Sequence, residues 1–169
     1  MKIFLTALLL IGFSFSTFSQ EDIAAKIDEL TYEWDEQAVK LSTYEGLSEF
    51  CTVAPYRESL VENLRQIHHY DSVLYDIVSQ RARFGNNSEL RKTLRDIEKL
   101  ESEYSINDFL VFLHEECNAR NDIERNAREY DEDKDAEVYR LETDLQKYVK
   151  DITKRIDVVR EHVHHIQGE

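Results

Sequence analysis

His68 and Asp71 stand three residues apart, a spacing that places an imidazole and a carboxylate on one face of a helix. Arg57 lies further up roughly the same side, and a second polar strip, His114, Cys117, Arg120 and Glu124, recurs at helical spacing later in the chain. If the two strips face each other between helices, imidazoles, carboxylates and guanidinium groups share one low-dielectric space, where burial moves pKa values. Two roles fit such a cluster. One is a small-ligand or metal site built from Arg57, His68, Asp71, His114, Arg120 and Glu124. The other is a buried ionic layer that fixes helix register, a use best attested in coiled coils. An arginine beside an aspartate favours the second role, because the two make an ion pair more readily than an acid–base couple.

A di-iron site in a helix bundle needs Glu-x-x-His from each of two helices and a further Glu from each of two others. The chain has one such run, Glu161 to His164, with His165 beside it, and no second copy. Those three residues fall at the end of the last helical stretch, where the carbonyl pole of the helix favours cationic side chains, so a helix-end role outweighs a metal site. Acyl-transfer chemistry lacks its parts. There is no G-x-S-x-G elbow and no glycine-rich phosphate loop, and Gly46, Gly85 and Gly168 are the only glycines beyond the first nineteen residues. No cofactor motif is present either; the single methionine is Met1, and no CxxCH run occurs.

The first residues, MKIFLTALLLIGFSFSTFSQ, carry one positive charge at Lys2, an apolar run from Ile3 to Phe13, and small residues at Thr17 and Ser19. That is the three-part pattern of a secretory signal peptide over residues 1–19, followed by one domain over residues 20–169. The expected product is exported, periplasmic or extracellular, with no membrane insertion after cleavage. Cys51 and Cys117 are the only cysteines, and in an oxidising compartment such a pair predicts a disulfide. The net charge is −14, or −15 once Lys2 leaves with the leader. With no run of basic residues to offset it, this charge repels nucleic-acid phosphates and anionic lipid heads.

The elements that must position these residues are helices. Leu60, Leu64, Ile67, Asp71, Leu74 and Val78 form one stripe, with a carboxylate where a leucine is expected. A first helix is predicted from Asp22 to about Tyr44, on Ile23, Ile27, Leu30, Trp34, Ala38 and Leu41, with a turn or short irregular helix at Gly46. Pro55 opens a second helix that runs to about Arg83, and 84–88 connects it to a third over Glu89–Tyr104. Ser105 with Asp108 reads as a capping box, and Asn86-Asn87-Ser88 fits a glycosylation sequon. From Phe109 the helical pattern continues to Gly168, too long for one straight rod, so a break is expected at Asp131–Asp135. Beyond it Val138, Leu141, Leu145, Tyr148, Ile152, Ile156, Val159, Val163 and Ile166 make the cleanest stripe in the chain.

The pattern therefore predicts an all-α antiparallel bundle of four to five helices with a long C-terminal helical region. The favoured function is a non-enzymatic exported binding or interaction module with an unknown protein partner or small ligand. The alternative is a metal- or small-ligand-binding bundle, with enzymatic use of the His/Asp/Glu/Arg cluster left open. Pairing of two copies through the final helix is a third expectation, and the tyrosines beside the stripes, Tyr32, Tyr75 and Tyr139, are candidates for a partner surface.

Overall fold

The computed structural model describes residues 20–84, 88–126 and 134–167, and every element in them is helical. The expected signal peptide, the Gly85–Asn87 connector with most of its sequon, and Asp131–Asp133 lie outside the described residues. The helices are α1 (Gln20–Leu41), α2 (Tyr44–Thr52), α3 (Ala54–Phe84), α4 (Ser88–Glu103), α5 (Ile106–Asn126) and α6 (Lys134–Gln167). Five are long, and the nine-residue α2 is the short helix expected around Gly46.

Cross-chain pairs give the topology. Tyr104 meets Arg155, Phe112 stacks on Tyr148, and Glu124 meets Lys134, so α6 runs antiparallel to α4 and α5 taken as one broken rod. Asp28 bonds Arg160 and Trp34 bonds Thr153, which sets α1 antiparallel to α6. Asn63 reaches the Leu30 carbonyl while Leu74 clusters with Ile27, and Tyr75 reaches Glu98 while His68 approaches Glu101, which sets α3 antiparallel to both α1 and α4. The result is four rods, α1, α3, α4–α5 and α6, with α2 lodged between the ends of α1 and α3.

Local sequence explains the joints. Thr43 is extended and caps α2, its Oγ1 accepting from the Gly46 N–H at 3.1 Å. The first helix thus ends at Leu41, short of Tyr44, and Gly46 sits inside α2 and not in the turn. It has to be glycine, because a Cβ there would lie 1.8 Å from the Lys40 carbonyl oxygen. Ser105 caps α5, its Oγ accepting from the Asp108 N–H at 3.3 Å, as the capping pattern predicts. Cys51 and Cys117 are bonded, their Cα atoms 5.5 Å apart, tying α2 to α5.

Leu60, Leu64, Ile67, Leu74 and Val78 of α3 are all buried, as the stripe requires. On α6 the seam passes through Val149, while Tyr148 is 41 % exposed. The remaining α6 stripe, Leu141, Leu145, Ile152, Ile156, Val159 and Val163, is spent inside the chain's own core. It is therefore not a free seam for pairing two copies. Two apolar clusters fill the bundle. The larger surrounds Trp34 and includes Leu64, Ile67, Phe109 and Ile152, while the smaller joins Ile27, Leu74, Ile97 and Val159. Along α3 they part at Asp71, and along α6 near Arg155.

Candidate functional site

Asp71 is buried, 4 % exposed, in a face otherwise made of leucine, isoleucine and valine. A carboxylate in that position must be matched, since an unpaired buried charge is costly. The match is Arg155 of α6, itself 1 % exposed, which donates from Nη2 to Asp71 Oδ2 at 2.5 Å and also to Glu101 Oε2. From Nη1 it donates to the Tyr104 carbonyl at 2.8 Å, at the point where α4 gives way to α5. One guanidinium thus joins α3, α4 and α6 and satisfies a carbonyl at a helix end, which also suits the negative pole there.

His68, one turn before Asp71, brings its Nδ1 to 3.9 Å from Glu101 Oε2. His68, Asp71 and Glu101 each offer one ligand atom within 4.8 Å of the others. Together with Ser72, Tyr75, Asp76, Ile97 and Glu98 they line a groove of about 410 Å³ between α3 and α4. Among the described residues neither Asp71 Oδ1 nor His68 Nδ1 has a hydrogen-bond partner, although both atoms are buried. Burial is the strongest influence on Asp71 and pushes its carboxyl above the ordinary range; Arg155 pulls it down, and the nearby Glu101 adds to the rise. No protein-family model, curated protein or solved structure matches this chain. The reading therefore rests on these side chains.

Of the six residues singled out from the sequence, only His68 and Asp71 meet here. Arg57 sits about 21 Å up the same helix from Asp71 at 1.5 Å per residue, out of reach, and donates instead to the Cys51 carbonyl at 3.1 Å. His114 lines a second cavity with Arg57, at the α2–α3–α5 junction. Glu124 accepts from the Tyr44 hydroxyl at 2.7 Å and pairs with Lys134, and Arg120 donates to Asn121. The two polar strips come together only where Arg57 and His114 share that cavity, so the six-residue cluster divides into three separate sets. At the far end of α6, His164 turns to Asp28 at 3.0 Å and Glu161 and His165 are exposed; among the described residues these three do not form a group close enough to hold a metal ion.

Arg155 and Glu101 were not legible as site residues. The available signal was subtle. Tyr148, Arg155 and His162 recur every seven residues along the flank of the α6 stripe. All three face the α4–α5 rod: Tyr148 stacks on Phe112, Arg155 reaches Tyr104, and His162 feels the charge of Asp96. Among the tyrosines, Tyr32 and Tyr139 are exposed as expected, but Tyr75 is half-buried in the groove wall, its hydroxyl donating to Glu98 at 3.1 Å.

Proposed function

We propose that the protein is an exported, non-enzymatic binding module, and that the groove between α3 and α4 holds a small cationic ligand. The observation that carries this reading is Asp71 Oδ1, a buried acceptor without a partner among the described residues, in a side chain that lines the groove. A layer that only fixed helix register would be expected to satisfy both carboxylate oxygens, since a half-satisfied buried network is worse than an apolar one. A bound cation would complete it. Asp76 and Glu98 add negative charge along the walls, and Ile97 with the Tyr75 ring offers an apolar face for a short alkyl body. A volume of about 410 Å³ suits a small molecule. Export is supported by the leader pattern over residues 1–19 and by the Cys51–Cys117 disulfide, a bond that persists in oxidising compartments.

A divalent metal is the second reading, favoured by the mutual approach of His68, Asp71 and Glu101 within 4.8 Å. Arg155 weighs against it. Its guanidinium already holds one oxygen of each carboxylate, so a metal would enter beside a fixed positive charge.

Calorimetric titration with 1,4-diaminobutane at low salt tests the proposal. Binding that weakens about tenfold in Asp71→Asn, in line with losing a charge-assisted hydrogen bond, supports it. No heat at millimolar ligand, or an affinity untouched by Asp71→Asn and by Asp76→Asn, removes it. Zinc bound stoichiometrically by protein purified without a histidine tag, and lost in His68→Gln, replaces it with the metal reading.

A further inference from the structure

The second cavity has the opposite character from the first. It encloses about 480 Å³ where α2, α3 and α5 meet. Its polar walls are Arg57, Arg65, His114, Asn118 and Asn121, and among the described residues no carboxylate lines it. In a chain with 35 acidic residues against 21 basic ones, a cavity walled by two arginines and a histidine without an acid is a local reversal of sign. Its floor is apolar, made by Phe50, Val61, Leu110 and the disulfide sulfurs.

We infer that this cavity binds a small organic anion, a carboxylate or phosphate group on an apolar body. The anionic head meets the arginines, and the body lies on the Phe50, Val61 and Leu110 floor. Arg57 is set for this in advance. One of its N–H groups is fixed on the Cys51 carbonyl at 3.1 Å, which orients the planar guanidinium before any ligand arrives. A guanidinium presents several donors in a rigid fork matched to carboxylate and phosphate oxygens, so ordering it beforehand lowers the entropy lost on binding. Asn118 and Asn121 stand one helical turn apart on α5, and their amides can donate alongside the imidazole of His114. The disulfide joins two of the three walls, Cys51 on α2 and Cys117 on α5, and holds the cavity's width. The site is independent of the α3–α4 groove; it uses none of that groove's residues and takes ligands of the opposite charge.

The test is a set of titrations of the full chain with hexanoate, phenyl phosphate, inorganic phosphate and hexylamine, followed by protein-observed NMR. Hexanoate or phenyl phosphate should bind and shift the amides around Val61, His114 and Asn118. Arg65→Gln and His114→Gln should each weaken that binding about fivefold to tenfold, the scale of one lost charge-assisted contact. Lys150→Gln, which removes an exposed charge elsewhere on α6, should not. Whichever organic anion binds identifies the head group. Failure of both to bind at millimolar concentration overturns the inference, as does a loss in Lys150→Gln equal to that in Arg65→Gln. Inorganic phosphate binding as tightly as phenyl phosphate would overturn the apolar-bodied ligand, and hexylamine shifting the same amides would overturn the charge assignment.

Discussion

Arg155 donates to Asp71 at 2.5 Å across the bundle, and the two side chains are 1 % and 6 % exposed. Eighty-four residues of chain separate them, so this contact fixes the stagger of α3 against α6 more directly than any apolar pair can. Arg155→Met leaves Asp71 and Glu101 without their cation and should cost about 3–5 kcal/mol. The double substitution Asp71→Leu with Arg155→Met should recover most of that, because Glu101 is 42 % exposed and can turn to water. Urea unfolding followed through Trp34, the only tryptophan and fully buried, measures both.

Gly46→Ala should be among the most damaging small substitutions. The added methyl would lie 1.8 Å from the Lys40 carbonyl oxygen, against backbone that cannot rotate away. Separating α2 from the end of α1 should cost about 2 kcal/mol or more in the same unfolding assay. A neutral result would mean that the α1–α2 corner is open.

Reduction of the Cys51–Cys117 bond, or the double change to serine, should lower stability by about 4 kcal/mol. That is the loop-closure estimate for the 66-residue separation. Because α5 and α2 also pack through Phe50, Phe109 and Leu113, far-ultraviolet dichroism should show the helices retained.

His162 predicts a pH dependence. Half-buried on α6, it is held below the ordinary histidine range, first by burial, with Asp96 and Glu161 partly opposing. Unfolded, it takes up a proton near pH 6.5; folded, it does so only at lower pH. The folded state therefore binds fewer protons in that window. The His162 contribution is complete above pH 6.5 and is lost progressively as pH falls from there toward its folded value. Melting temperatures of the wild type and His162→Gln should converge over that range; parallel curves would place His162 in solvent.

The apolar stripes made the helices readable, and Asp71 stood out because a carboxylate interrupted one of them. The disulfide followed from two cysteines and the expected export signal, and the break between α4 and α5 followed from the Ser105 cap. What escaped were choices that depend on the neighbour. Tyr148 and Val149 both lie at helical spacing from Leu145, and only the approach of Phe112 decides that the tyrosine flanks the seam while the valine enters it. Arg57 shares a face with Asp71 in projection, but projection discards distance along the axis, and Arg155 supplies the cation from another helix. Asn63 was missed for a similar reason. It is buried because the Leu30 carbonyl and Glu33 across on α1 receive its amide, and nothing on α3 itself announces this.

The most direct test is to map amide shifts while n-butylammonium is added to isotope-labelled protein at low salt. Shifts should cluster at His68, Ser72, Tyr75, Ile97 and Glu98 and fade as salt screens the groove. Shifts scattered over exposed carboxylates of α1 and α6, with the groove residues unmoved, would contradict the proposed cation site.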